Sequence, residues 1–376
     1  MLLQKVFKRG NHPLSVNRVG HAELRLCSGP VPHYKEIVEL GGALIEYMAD
    51  ELGTAETLRK FSDPIWFEAM ASTMGFEWQF SGATTVTLRA ISEAIRGKED
   101  CIGIRILGGK GKEARTVGAL PDELRDPDTT TTKVDSALVQ DSYSIYFHAI
   151  MYDDKRRWVV VNQGMNAEDK LARRYHWSWE GGGFLNDVEE IAGREEKIVL
   201  DLQARASEVA RETILDVVRD EAPKKIIYTI LSLRRRPGQR TLVDYGLGGC
   251  IKVEYMPFEL RIPRRINEEA LKIAKDAENF VEFIKTPGMG PATVRGLAFL
   301  ASLVYGAPVS WKDPVKYGYA FGTKAGKPWM VERKRMVEAA EFLRSAVVDS
   351  KTGDRTKKRA LRRVARIVNQ SSGGSS

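Results

Sequence analysis

Between Phe283 and Leu297 the chain reads Phe-Ile-Lys-Thr-Pro-Gly-Met-Gly-Pro-Ala-Thr-Val-Arg-Gly-Leu, an order that suits a helix that stops, turns within a few residues and starts again. Gly288 and Gly290 permit positive φ and remove the side chains that would hold another backbone away from the turn. Pro291 pre-sets φ for the first residue of the second helix, where its missing N–H is no loss. That helix then offers unpaired amides at the positive end of its dipole, which suits a phosphate oxygen. Lys285, Thr293 and Arg295 are candidates to add side-chain contacts. Nothing in the stretch reads base edges, so binding is expected to be independent of sequence and strongly dependent on salt. The quieter explanation is an ordinary corner between two helices.

A chain of 376 residues exceeds one typical core, so two or three packed units are expected. Apolar residues at 43% and charged residues at 29% exclude the composition of a disordered chain. No apolar run is long enough to span a bilayer. The start, Met-Leu-Leu-Gln-Lys-Val-Phe-Lys-Arg, lacks an apolar signal segment, so a cytoplasmic location is expected. Cys27, Cys101 and Cys250 are widely spaced and odd in number, which fits neither a disulfide framework nor a zinc ribbon. The net charge of +8 favours polyanions. The cations are dense in Lys324–Arg335 and Lys351–Arg366; charge runs of this kind are also what a solvated surface shows.

Apolar spacing predicts helices through His33–Lys98, with Ser62-Asp63-Pro64 as a helix start, and over 83–96. Cys101–Leu107 reads as a strand before the loop Gly108-Gly109-Lys110-Gly111-Lys112. Ser142–Tyr152 and Trp158–Asn162 flank Asp153-Asp154-Lys155-Arg156 and predict an antiparallel pair. Asn166–Trp177 has helical composition, Glu196–Leu202 reads as a strand, and helices follow over 204–219, 267–285, 291–305 and 331–347. The expected architecture is a mixed α+β or α/β N-terminal module over 1–232, with a small sheet flanked by helices. A connecting segment over 233–265 includes Arg234–Arg240. An all-helical unit follows over 266–370, and 371–376 is a tail of linker composition.

The densest potential chemistry lies at Asp135, Asp141 and His148. Oxygen donors with an imidazole suit Mg²⁺ or Mn²⁺, ions that drive phosphodiester cleavage by activating water and neutralising the leaving oxygen. Gln163 is expected across the strand pair, to orient water or phosphate. Arg173, Arg174 and His176 are expected to stabilise charge on the phosphorus, and the amides of the loop carrying Lys110 and Lys112 to cradle phosphate. Each has a structural alternative: Asp135 as a helix cap, Asp141 at a strand start, His148 as a half-buried histidine, and the arginines paired with Glu168, Asp169 or Glu180.

Two resemblances add to this. The Phe283–Leu297 stretch resembles the helix-hairpin-helix of DNA repair enzymes, polymerases and ligases. In the glycosylase branch of that group a Gly/Pro-rich loop and a catalytic aspartate follow the hairpin. Gly326–Arg333 echoes that loop, with Glu332 in place of the aspartate and a longer intervening stretch. The sequences Gly108-Gly-Lys-Gly-Lys, Val134–Asp141, Gln163-Gly-Met-Asn166, Ala172–Trp177 and Tyr305-Gly-Ala-Pro308 together resemble an archaeal domain-of-unknown-function family with a C-terminal helix-hairpin-helix, over most of 15–347. That resemblance implies no catalytic residue.

The expected activity is that of a metal-dependent nuclease in DNA repair or recombination. Asp135, Asp141 and His148 would hold the metal, while Lys110, Lys112, Lys285, Gly288, Gly290, Thr293 and Arg295 would grip duplex, branched or single-stranded DNA. A homodimer stays open and no membrane is involved. The rivals are a non-catalytic nucleic-acid-binding adaptor and a glycosylase using Glu332.

Overall fold

In the computed structural model the described residues are 24–26, 31–76, 81–234, 260–317 and 333–372. In chain order they form β1 (Leu24–Arg25), α1 (Tyr34–Ser62), α2 (Pro64–Met74), α3 (Gly82–Ile95), α4 (Glu99–Ile102), β2 (Ile104–Gly109) and α5 (Asp122–Lys133). A π-helical turn over Val134–Leu138 leads to β3 (Val139–Gln140), β4 (Ser144–Asp153), β5 (Trp158–Asn166), β6 (Leu171–Ser178), β7 (Glu190–Ala192) and β8 (Leu200–Asp201). Then follow α6 (Glu208–Asp220), α7 (Pro223–Ser232), α8 (Glu268–Ile273), α9 (Phe280–Lys285), α10 (Pro291–Tyr305), α11 (Arg333–Asp349) and α12 (Asp354–Ser372). Among the described residues the chain is a mixed α/β protein built on a six-stranded antiparallel sheet, with β3 and β8 forming a separate two-stranded pair.

The sheet runs β1-β6-β5-β4-β2, with β7 also on β6. Its centre is the predicted hairpin of β4 and β5. The buried Asp153 carboxylate accepts from the amides of Lys155 (3.0 Å) and Arg157 (3.1 Å), which fixes the turn between them. The side-chain period of two gives each strand two faces. Phe147, Ala149, Met151, Val159 and Val161 pack with α1, α2, α3, α11 and α12, whereas Ile150, Tyr152, Val160 and Trp177 pack with residues of α6 to α10.

The expected all-helical C-terminal unit therefore contributes to two cores. α11 and α12 belong to the cluster of α1 to α3, through Ala339, Leu343, Val347, Ala360 and Val364. α8 to α10 belong to the other, through Leu271, Phe283, Met289 and Leu297.

Three expectations change. The segment Asn166–Trp177 is not a helix: Asn166 ends β5, a turn follows, and Leu171–Trp177 belongs to β6, where Arg173, Tyr175 and Trp177 alternate with Arg174 and His176 and all five are buried, so no apolar alternation marks the strand. The helix expected over 267–285 is interrupted, because Asn279 accepts from the amides of Val281 (2.9 Å) and Glu282 (3.0 Å) and starts a new helix. The strand expected over Glu196–Leu202 is reduced to Leu200–Asp201, which pairs with β3 and, through Asp201, bridges Ser310. Arg235–Arg240, Glu332, Cys27 and Cys250 lie outside the described residues.

Candidate functional site: a polar row under a cover of aspartates

His148, Asn162 and Tyr175 are register partners on the adjacent strands β4, β5 and β6, so they form one row across the sheet. The segment that covers this face meets each of them with an aspartate. Asp128 Oδ1 lies 2.6 Å from His148 Nε2, Asp135 Oδ2 accepts from Asn162 Nδ2 at 2.6 Å, and Asp141 Oδ2 accepts from Tyr175 OH at 2.7 Å. Trp177 Nε1 adds a bond to Asp135 Oδ1 at 2.9 Å. The cover turns from α5 through the π-helical Val134–Leu138 into β3; the wider π turn carries Asp135 to the strands.

The row has a closed end and an end near solvent. Asp135 and Asp141 are buried, whereas the His148 and Asp128 side chains keep 16% and 12% of their surface. The hydrogen bonds set the protonation of His148. With the Asn162 amide nitrogen on Asp135, its Oδ1 faces His148 Nδ1 at 2.6 Å, so Nδ1 carries a proton, while Nε2 faces a carboxylate. Burial alone would lower the pKa of His148, but the bond and charge of Asp128, aided by Asn162 and Asp135, raise it above its usual value. Both ring nitrogens thus face hydrogen-bond acceptors.

Deeper in, burial pushes Asp135 up to about 7 against the opposing bonds from Asn162, Glu189 and Trp177. Glu189, just before β7, is also fully buried. Burial first, and the facing charge of Asp135 second, raise it well above the carboxylate range.

The near-solvent end adjoins the glycine-rich loop. Gly109 is the register partner of His148, and a Cβ on Gly108 would lie 2.3 Å from the His148 carbonyl oxygen. Gly108, Gly109 and Gly111 all have positive φ, and Lys110 and Lys112 are exposed. Lys110 sits 5.2 Å above the Tyr146 ring.

The expected catalytic group is divided by the sheet. Gln163, Arg174 and His176 lie on the face opposite His148. Gln163 Nε2 donates to the Ser81 carbonyl at 3.1 Å and to Tyr146 OH. Arg174 pairs with buried Glu68 at 2.6 Å and stacks on Phe67. His176 Nδ1 meets the Phe61 carbonyl at 3.0 Å; burial and then the Arg174 charge hold its pKa well below the usual value, so it is neutral. Arg173 shares the face of His148 but is fully buried, bonded to Asp141 (2.9 Å), Asp313 (2.6 Å) and the Arg194 carbonyl (2.5 Å). Asp135, Asp141 and His148 engage different partners, and among the described residues no group of three or more His, Cys, Asp or Glu side chains is arranged to hold a metal ion.

The Pro287–Gly290 turn joins α9 to α10 as expected, with Gly288 at φ 78° and Gly290 at φ −115°, so only Gly288 uses positive φ. Gly290 caps α10 without a side-chain bond. The side chains expected on phosphate instead anchor the turn. Lys285 pairs with Asp126 and Glu282, Thr293 Oγ1 accepts from the Asn267 amide at 3.2 Å, and Arg295 donates to the Arg261 carbonyl (2.8 Å) and Gln140 Oε1 (2.6 Å). Lys133 Nζ donates to the Met289 carbonyl at 3.1 Å.

Sequence reasoning missed Asp128, Asn162, Tyr175, Glu189 and Asp313. The available signal was the period of two around His148, which selects Asn162 over Gln163 once the β4–β5 register is known.

The fold and this row define a mixed α/β protein with a polar seam between its antiparallel sheet and the covering segment. Residues 20–331 match the family described as Protein of unknown function (DUF763), and the chain belongs to that family. No curated protein and no solved structure matches it. Among the described residues no helix is long and apolar enough to cross a membrane.

Proposed function

We propose that this chain binds the phosphate backbone of DNA at the α9–α10 turn, acting as a helix-hairpin-helix, and hydrolyses a phosphodiester bond at the near-solvent end of the seam. The observation that carries the reading is the Lys133–Met289 bond. It fastens the turn to α5, the same helix that carries Asp128. An anion held at the N-terminus of α10 is thus tied to the helix that positions His148.

In this scheme Lys110, Lys112 and the loop amides neutralise the phosphate, and Asp128 orients His148. Water attacks phosphorus, the P–O bond breaks, and His148 gives its proton to the departing oxygen. The proton released by the water restores the ring. Mg²⁺ or Mn²⁺ remains part of the proposal as a requirement of the reaction, without Asp135, Asp141 and His148 as its joint ligands. The adaptor reading is favoured by the burial of Asp135 and Asp141, which suits a row that only ties sheet to cover.

The test is labelled duplex, single-stranded and branched DNA with Mn²⁺, Mg²⁺ or chelator, for the parent chain, His148→Gln and Asp128→Asn. Cleavage by the parent that is lost in both variants while binding persists supports the nuclease. Binding without cleavage under every condition leaves the adaptor, and absence of binding rejects both.

A further inference from the structure

α12 presents two sets of cations in different ways. Lys357 donates to the Val348 carbonyl at 2.9 Å, Arg359 pairs with Glu36 at 2.5 Å, and Arg363 reaches the Thr73 carbonyl at 3.4 Å. These three flank the line Thr356, Ala360 and Val364, which is buried. Arg355, Lys358 and Arg362 fall on the opposite side of the helix at spacings of three and four, and all three are exposed, as is Lys351 just before the helix. Among the described residues no carboxylate is paired with these four.

We propose that the solvent face of α12, formed by Arg355, Lys358 and Arg362 with Lys351 at its start, is a second docking surface for the phosphate backbone of DNA. This rests on DNA as the partner but not on the α9–α10 turn. Charge complementarity selects the occupant. Arg355 and Arg362 are about 10 Å apart along the helix axis, a length that covers about three phosphates of one strand at about 3.4 Å each. A lipid surface is a poorer fit, because an interfacial helix must put its apolar face into the bilayer. Here that face is closed against the core formed with α2 and α11. α12 lies over the face of the sheet opposite the α9–α10 turn, so DNA touching both surfaces would have to pass around the molecule, or two segments would be held at once.

The experiment is fluorescence anisotropy with a labelled duplex at several salt concentrations between roughly 50 and 200 mM. It compares the full chain with the combined Lys351→Gln, Arg355→Gln, Lys358→Gln and Arg362→Gln variant, a charge-retaining Arg355→Lys, Arg362→Lys variant, and Gly290→Asp in the turn. The expected result is a salt slope lowered by about 0.9 for each lost phosphate contact, so by roughly 2 to 4 in the neutralised variant, with the charge-retaining variant close to the parent. A slope unchanged in the neutralised variant while Gly290→Asp weakens binding overturns the α12 surface and leaves the turn reading standing. A reduced slope with Gly290→Asp unaffected supports α12 and overturns the turn instead. Loss of binding to phosphatidylglycerol vesicles with DNA affinity unchanged assigns the face to lipid and overturns the proposal, as does a parent chain that binds no DNA.

Discussion

Gln140 Nε2 donates to the carbonyl oxygen of Pro291 across 2.8 Å, joining the strand that closes the aspartate-bearing cover to the first turn of α10. The same side chain accepts from Arg295 at 2.6 Å, and its Nε2 also reaches the Ala137 carbonyl at 2.8 Å. Gln140→Ala removes all three contacts. With a typical net value of about 1 kcal/mol per bond and a larger cost for stranded buried groups, the expected loss is about 2–3 kcal/mol. Denaturant midpoints at constant slope would measure it, and a loss under about 0.5 kcal/mol would mean that the tie is not structural.

The turn glycines are predicted to behave differently. Gly288 has φ 78°, and a Cβ there would lie 2.4 Å from Asn267 Nδ2, whose amide donates to the Gly288 carbonyl at 3.1 Å. Gly290 has φ −115°, and nothing would lie within 4 Å of its Cβ. Gly288→Ala should cost about 1–3 kcal/mol through strain and the displaced bond. Gly290→Ala should be within about 0.5 kcal/mol of the parent. Thermal melts of the two variants distinguish this from a turn in which both glycines serve the same purpose.

The parts of the fold that could be read from sequence are those where one local signal dominated. The Asp153–Arg156 turn and the double-glycine turn each specify their own geometry, and β4, β5 and α10 lie where expected. β6 was hidden because its buried positions are filled by Arg173, Arg174, Tyr175 and His176, whose partners Asp141, Asp313, Glu68 and Phe61 are distant in sequence. The same fact scattered the expected site. Adjacent residues of a strand point to opposite faces, so Arg173 and Arg174 cannot serve one centre, and Gln163 cannot share the face of Asn162. Asp128 gave no sequence signal, because its importance comes from the register that brings His148 beneath α5.

The buried triangle of Arg173, Asp141 and Asp313 fastens β6 to the segment after α10. Removing Arg173 leaves two buried carboxylates without their cation, and removing Asp313 strips Arg173 of its bidentate partner and leaves it on Asp141 alone; breaking buried charge groups of this kind typically costs about 3–5 kcal/mol. Asp313→Ala is predicted to fall in that range, since it also frees the Glu196 amide, bonded at 2.6 Å, and the Val315 amide, bonded at 2.9 Å. Arg173→Met should be milder in combination with Asp313→Ala than the sum of the single changes. Urea unfolding of the singles and the double closes the cycle, and simple additivity would show that the pair does not act as a unit.

The pH response follows from carboxyl groups raised by burial. Asp201 is pushed up to about 7 from 3.8, with desolvation as the main cause, opposed by the amides of Ala204 and Gln203. A raised carboxyl pKa means that the folded state holds its proton more tightly than the unfolded state. The stabilisation is complete below about pH 4 and is lost as pH rises through about 7. Asp135, also raised to about 7, has the same sign. Both amides bond the same oxygen of Asp201, at 2.9 and 3.0 Å, so an asparagine can keep both bonds through its carbonyl while removing the titration. At about 1.4 kcal/mol per unit of displacement, Asp201→Asn should be more stable than the parent at pH 8 by on the order of 4 kcal/mol. The difference should shrink towards pH 5. Chemical denaturation of both proteins across this range is the measurement, and a gap that widens on acidification would show that Asp201 is ionised in the fold throughout.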